Sequence, residues 1–198
     1  YLQDGSVLED DLRCLALMQH HGAPTRLVDF TKSPFVAAFF ALWHLQGDAA
    51  VFALNTPALW KAAPRFDPSL HRDVIDLRKP GNYQRYFANN NHGLVWFGEP
   101  NQMDARLVAQ SGILVVPGML DVPLETLLAG YDSDEPLLRK FILPAQVREE
   151  ALRALYRMNI TAATLFPGLD GLARSIGYEL EMVWEQLIVD YRQRLSTD

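Results

Sequence analysis

A single cysteine, Cys14, is all the thiol chemistry available to this chain of 198 residues. One cysteine excludes a disulfide framework and a cysteine metal cluster, and points to a reducing compartment, so we expect a cytoplasmic protein. Cys14 lies among Leu12, Leu15 and Leu17 and reads as a core thiol. No stretch approaches the ~20 apolar residues of a membrane span, and the N-terminus lacks a signal-peptide pattern. No membrane partner is expected. Positive charge is also scarce: the formal net charge is −6, which argues against a broad phosphate-binding face and leaves room only for a local basic pocket. Repeats and low-complexity linkers are absent. So is any evident Ser/His/Asp set or metal-ligand cluster, which weakens nuclease and hydrolase readings.

Apolar mass is plentiful. Hydrophobic residues make up 49% of the chain, enough for a folded core without staples, and we expect one domain over residues 1–198. Leu8, Leu12, Leu15 and Met18 follow helical spacing, and this helix should stop at Gly22 with Pro24 just beyond. Thr25 to Asp29 reads as a short strand. Ser33-Pro34 is a helix start, an N-cap followed by proline at the first helical position. The helix that follows, Phe35 to Leu45, is apolar nearly all round and should be central. We place Phe39, Phe40 and Trp43 in the core, Phe39 and Phe40 each contributing about 2–3 kcal/mol by burial.

Ala49–Leu54, Leu94–Phe97, Gly112–Val116 and Arg139–Leu143 are further strand candidates, with irregular structure and short helices over 56–92. Pro123–Ala129 should be a short helix. Pro144 opens another, with Val147, Ala151, Leu155 and Met158 on one face. Leu172, Ile176, Leu180, Trp184 and Leu187 mark a longer helix near the end. Strands and helices mix without a regular βαβ rhythm, which predicts an α+β fold.

The densest polar stretch runs from Gln19 to Pro34: Gln19-His20-His21-Gly22-Ala23-Pro24-Thr25-Arg26-Leu27-Val28-Asp29-Phe30-Thr31-Lys32-Ser33-Pro34. Core segments seldom carry so many polar groups, because each buried one needs a partner. The stretch resembles the core of the FRG domain family, Gln-His-x-Gly-x-Pro-Thr-Arg-Leu-x-Asp-aromatic-Thr-x-Ser-Pro, followed by an apolar helix, here Ala37-Ala38-Phe39-Phe40-Ala41. Two further blocks are similar to the family's pattern: Arg106-Leu107-Val108-Ala109-Gln110-Ser111-Gly112, and the turn Phe166-Pro167-Gly168-Leu169-Asp170-Gly171. The family's upstream aromatic-Arg-Gly motif has no counterpart, since the chain contains no Arg-Gly dipeptide.

More distantly, the order of these blocks resembles toxin-type ADP-ribosyltransferases. Thr31-x-Ser33 leading into Ala37–Phe40 looks like their Ser/Thr strand end and helix, and Gln110-Ser111-Gly112 like their Gln/Glu-x-Glu strand, with Gly112 where the glutamate is expected. The resemblance implies a split mixed or antiparallel sheet flanked by helices. It also implies NAD as substrate, a protein or nucleic-acid acceptor, and a bacterial toxin or phage-defence setting in which an antitoxin or further domains could be partners. A catalytically inactive nucleotide- or protein-binding module of the same fold is the alternative. Without the first-strand arginine, NAD binding by this chain should be weak. Without the glutamate, the cation-like ribose of the transfer reaction needs another carboxylate, and Asp29, Glu99 and Asp170 are the candidates.

Each site candidate has a structural competitor. The resemblance assigns catalysis to His20 and Gln110 and cofactor binding to Arg26, Thr31, Ser33 and Arg106. His20 could equally cap the preceding helix, Arg26 could form a structural ion pair, and Thr31 and Ser33 could be helix caps. Arg106 is a plausible anion ligand or an exposed loop arginine. Asp170 most simply caps the last helix. Adjacent His20 and His21 diverge and lack a third ligand at useful spacing, so no metal is expected.

Overall fold

The computed structural model describes residues 5–44 and 47–196. A 3-10 turn, Gly5–Glu9, leads into α1 (Asp11–His20), β1 (Val28–Thr31) and α2 (Pro34–Trp43). Then come β2 (Ala49–Leu54), α3 (Thr56–Lys61), β3 (Ala63–Pro64), a π-type turn at Tyr83–Phe87, and β4 (Val95–Gly98). Next are α4 (Ala105–Ala109), β5 (Gly112–Pro117), α5 (Leu124–Ala129), β6 (Tyr131–Asp132) and β7 (Leu138–Leu143). The last part is helical: α6 (Arg148–Arg157), α7 (Ala162–Leu165) and α8 (Leu169–Tyr178), then a π-type stretch Glu179–Trp184 and α9 (Glu185–Leu195). Mixed helices and small sheets make this an α+β arrangement. No helix among the described residues is long and apolar enough to cross a membrane.

The chain divides into two compact units. The first comprises Tyr1–Lys32, Phe52–Met103 and Gly112–Phe141. It contains a three-stranded sheet in the order β1-β5-β4, both pairings antiparallel, with Thr31 opposite Gly112 and Phe97 opposite Val115. The apolar run at 112–116 earns the central position: Val115 and Val116 are fully buried, and Leu114 nearly so. Phe97 and Val115 share one face and pack with Leu59, Leu127, Leu128, Tyr131 and Leu137. Period-two alternation puts Asp29 and Thr31 on the opposite face from Val28 and Phe30. The small pair β3–β6 belongs to the same unit.

The second unit comprises Ser33–Val51, Asp104–Ser111 and Ile142–Asp198. Its core gathers Val36, Phe39 and Leu42 of α2 with Leu152, Leu155, Ala162 and Leu165. Ser33 caps α2 as its sequence requires, accepting from Val36 N at 3.3 Å, with Pro34 in the first turn. The expectation for Phe40 is corrected: it is 43% exposed, and Phe35 is 51% exposed. A helix that is apolar on every side still presents only one stripe to its core, and here Val36, Phe39 and Leu42 occupy it. Phe39 alone of the phenylalanine pair gains full burial.

Two other boundaries shift. The first strand begins at Val28 rather than Thr25, because the Thr25 hydroxyl accepts from Leu27 N and holds the intervening residues in a turn. In α6 the buried residues are Leu152 and Leu155, whereas Val147 and Met158, placed on its apolar face by spacing, are exposed. A 3-10 turn at Ala145–Val147 precedes the helix and resets its phase. Along the terminal helices Gly171 and Ser175 are buried, while Leu172, Ile176, Leu180, Trp184 and Leu187 are exposed.

Candidate functional site

In the first unit the polar stretch is organised by its end residues. Gly22, at φ +83°, ends α1, with Gly22 N bonded to Gln19 O and Ala23 N to Met18 O. Gln19 then works across the turn. Its Nε2 donates to Asp29 Oδ1 at 2.8 Å, and its Oε1 accepts from the Thr25 hydroxyl. Gln19, Thr25 and Asp29 thus tie the helix end to the strand, which gives a physical reason for three polar positions of the motif. The sequence contained all three; only the folded turn made them a network.

His20 closes α1 and is exposed, its ring edge-on to that of His21 at 5.1 Å between centres. Arg26 is buried, 9% exposed. Its Nη1 donates to Pro117 O at 3.3 Å, and its guanidinium lies 5.7 Å from the centre of the Tyr83 ring. Thr31 ends β1, half-buried, on the same face as Asp29. Glu99, one of the carboxylate candidates, pairs with Lys32 at 2.5 Å. The two acids have different partners: Asp29 accepts from Gln19, and Glu99 pairs with Lys32 just past the end of β1.

In the second unit Ser33 serves as the α2 cap. Gln110 caps α4 through its backbone and donates Nε2 to Leu165 O at 3.0 Å. Arg106 holds its guanidinium 5.1 Å from the Phe166 ring centre, and Arg174, which spacing alone did not flag, lies 5.2 Å from the same centre. Phe40 meets Phe166 edge-on. The Phe166–Gly171 turn is what makes this possible. Gly168 has φ +112°, and a Cβ on Gly171 would stand 1.9 Å from Phe166 O, so only glycine lets α8 begin there. The only sequence signal for Arg174 was that turn, which ends three residues ahead of it.

His20, Arg26 and Thr31 thus belong to the first unit, and Ser33, Arg106 and Gln110 to the second. Neither a cleft of about 260 Å³ in the first unit, lined by Arg65, Glu125, Tyr131, Ser133 and Glu135, nor a water-sized void of about 10 Å³ beside Tyr178 is lined by any of them. Tyr131 lines the former, and burial pushes its phenol up to about 12, although its bond with the Val95 backbone lowers it somewhat.

The family model of the FRG domain matches residues 3–48. The match contains the Gln19–Pro34 block and all of α2, so the Gln19–Thr25–Asp29 network and the Ser33 cap lie within the matched segment. The Arg106–Gly112 and Phe166–Gly171 blocks lie beyond the matched residues. No curated protein and no solved structure matches the chain.

Proposed function

We propose that this FRG-containing chain is an ADP-ribosyltransferase-like protein that takes NAD as substrate and modifies a protein or nucleic-acid acceptor. The observation that carries this reading is the shared face of Asp29 and Thr31 on β1, with the Asp29 carboxylate held by Gln19 at 2.8 Å. It supplies a fixed anion beside the Ser/Thr strand end, where the Gln110-Ser111-Gly112 block lacks a glutamate. In the reaction the bond from ribose C1′ to nicotinamide breaks, nicotinamide leaves with the electron pair, and the acceptor's nucleophile bonds to C1′. A preoriented carboxylate stabilises the cation-like ribose between those events. His20, one residue from Gln19 and exposed, is the group we assign to removing the acceptor's proton. The setting that fits is a bacterial toxin or phage-defence effector acting in the cytoplasm.

The test is cleavage and transfer from labelled NAD, with protein and nucleic-acid acceptors, by the chain and by Asp29→Asn. The variant should lose about a hundredfold or more of the rate while keeping its melting temperature. Equal rates would remove Asp29 from the chemistry, and no cleavage of NAD by the chain would remove the reaction. A second reading, a binding module without catalysis, is favoured by the bonds that tie Gln110 to Leu165 O and Arg26 to Pro117 O, because both side chains then serve the fold.

A further inference from the structure

The terminal helices bury one face and leave the other bare. Gly171 and Ser175 are buried, and the Tyr178 ring packs against Trp43 and Tyr156. On the opposite side Leu169, Ile176, Leu180, Trp184, Ile188 and Leu195 are between 45 and 82% exposed. Their spacings are seven, four, four, four and seven residues. A step of seven stays nearly in phase with an α-helix, whereas repeated steps of four drift around it. The fours fall where the helix widens, at the π-type stretch Glu179–Trp184, and the larger turn takes up the drift. One apolar stripe therefore runs from Leu169 to Leu195, roughly 40 Å at the rise of a helix.

Single exposed apolar residues are ordinary; a continuous stripe is not. These six side chains expose roughly 600 Å² together, the top of the range for a monomer's largest patch and three quarters of the ~800 Å² per partner of a standard interface.

The order of residues along the stripe is self-complementary. Reversed about position 182, inside the π-type stretch, Leu169 falls opposite Leu195, Ile176 opposite Ile188, and Leu180 opposite Trp184. Charge separates the two ways of pairing. Asp170 and Arg192 are exposed and follow one flank of the stripe, one near each end. Two copies running the same way would set Asp170 against Asp170 and Arg192 against Arg192. Running opposite ways, each Asp170 meets an Arg192.

We propose that two copies of this chain pair antiparallel through α8 and α9 as a two-fold homodimer. The axis passes through the π-type stretch, so each copy presents the same surface to the other.

Sedimentation equilibrium on the intact chain tests it. A dimer of the 22.4 kDa chain should form at about 10–100 µM and dissociate on dilution. Leu180→Glu and Trp184→Glu should each weaken association by about thirtyfold or more. Their circular dichroism should not change, because both side chains face solvent in the single copy. Leu120→Glu, at an exposed apolar position of the first unit, should leave the dimer as it is. Asp170→Arg and Arg192→Asp should each weaken the dimer several-fold, and the double variant should restore it. A chain that stays monomeric at about 100 µM would overturn the dimer and give the stripe to a different protein or to another part of a longer chain. A dimer indifferent to both Leu180→Glu and Trp184→Glu would overturn the interface. A double charge variant no tighter than the single ones would overturn the antiparallel order.

Discussion

Arg72 of the first unit and the pair Arg106 and Arg174 of the second all lie over aromatic rings, and their surroundings make them different devices. Arg72 is 5% exposed, with its guanidinium 3.8 Å from the centre of the Trp60 ring and also facing Phe97 and Trp96. Its Nε donates to Phe97 O at 3.1 Å. Asp73 stands 3.5 Å from Nη1, close enough for an ion pair but without a hydrogen bond there. Burial pulls the pKa of Arg72 down while Asp76 and Asp73 push it back. Asp76 is itself buried and gripped by Arg78, Nε to Oδ1 at 3.0 Å and Nη2 to Oδ2 at 2.7 Å. Burial alone would raise the Asp76 pKa; the bonds from Arg78 more than reverse it. A cation enclosed by rings and surrounded by acids is part of the fold. Arg106 and Arg174 share a ring at the half-exposed and exposed surface, with no ion pair to either among the described residues. Contact with an aromatic ring does not by itself tell the two apart; the neighbouring carboxylates do.

The contrast is broken most severely at Gly171, the scaffold of the arginine pair. Gly171→Ala would place a Cβ 1.9 Å from Phe166 O and 2.8 Å from Ala162 O, both backbone atoms that cannot swing aside. We expect a loss of about 3 kcal/mol in denaturant unfolding, at the upper end of overpacking costs. A loss under ~0.5 kcal/mol, the range of an ordinary surface change, would mean that α8 does not start against Phe166.

Alkaline unfolding probes the strand that bears the Arg72 cage. The Tyr131 hydroxyl accepts from Val95 N at 2.7 Å and donates to Val95 O at 3.2 Å, and its pKa is raised to about 12. A raised folded-state pKa favours the neutral phenol. Its contribution is complete below the unfolded value near 10 and is lost as pH rises from there to about 12, by about 2–3 kcal/mol. Tyr131→Phe should be less stable at neutral pH and should flatten the loss between pH 10 and 12. An unchanged slope would place the titrating group elsewhere.

Arg72→Leu should cost about 2 kcal/mol, since Phe97 O loses a charged donor and Trp60 its cation. Because the guanidinium is buried, high salt should not erase the difference; a penalty that vanishes at 1 M salt would make Arg72 a surface charge. The smallest effect belongs to the other side of the comparison. Arg106→Gln and Arg174→Gln should each change stability by less than ~0.5 kcal/mol, because neither forms an ion pair among the described residues. A loss as large as that of Arg72 would make the Phe166 arginines structural and end the contrast.

Local chemistry made much of the fold readable. Ser33-Pro34 announces a cap and a helix start with no help from elsewhere, because the groups that satisfy the first-turn N–H lie within three residues. Gly22 ends α1 by its own φ of +83°. The run Gly112–Val116 reads as a buried strand because nothing polar in it would need a partner, and it forms the sheet centre. The site was less legible. His20, Thr31, Arg106 and Gln110 were nominated on the resemblance. The bond from Gln110 to Leu165 O and the meeting of Arg106 and Arg174 on Phe166 join residues 55 or more positions apart for the first two partners, which no local pattern encodes.

By itself, then, the sequence determined which stretches are helical and which extended, several of their caps, and which segment resembles the FRG domain, because caps, turns and alternation act over a few residues. Only the tertiary structure decided which face of each element is used. Phe40 and Phe39 are neighbours of equal hydrophobicity, yet one is 43% and the other 2% exposed, since burial depends on what the rest of the chain brings to each side. The same holds for charge. Arg72 was given Asp73 and Asp76 beside it, whereas neither Arg106 nor Arg174 forms an ion pair among the described residues, and that difference is set by long-range packing.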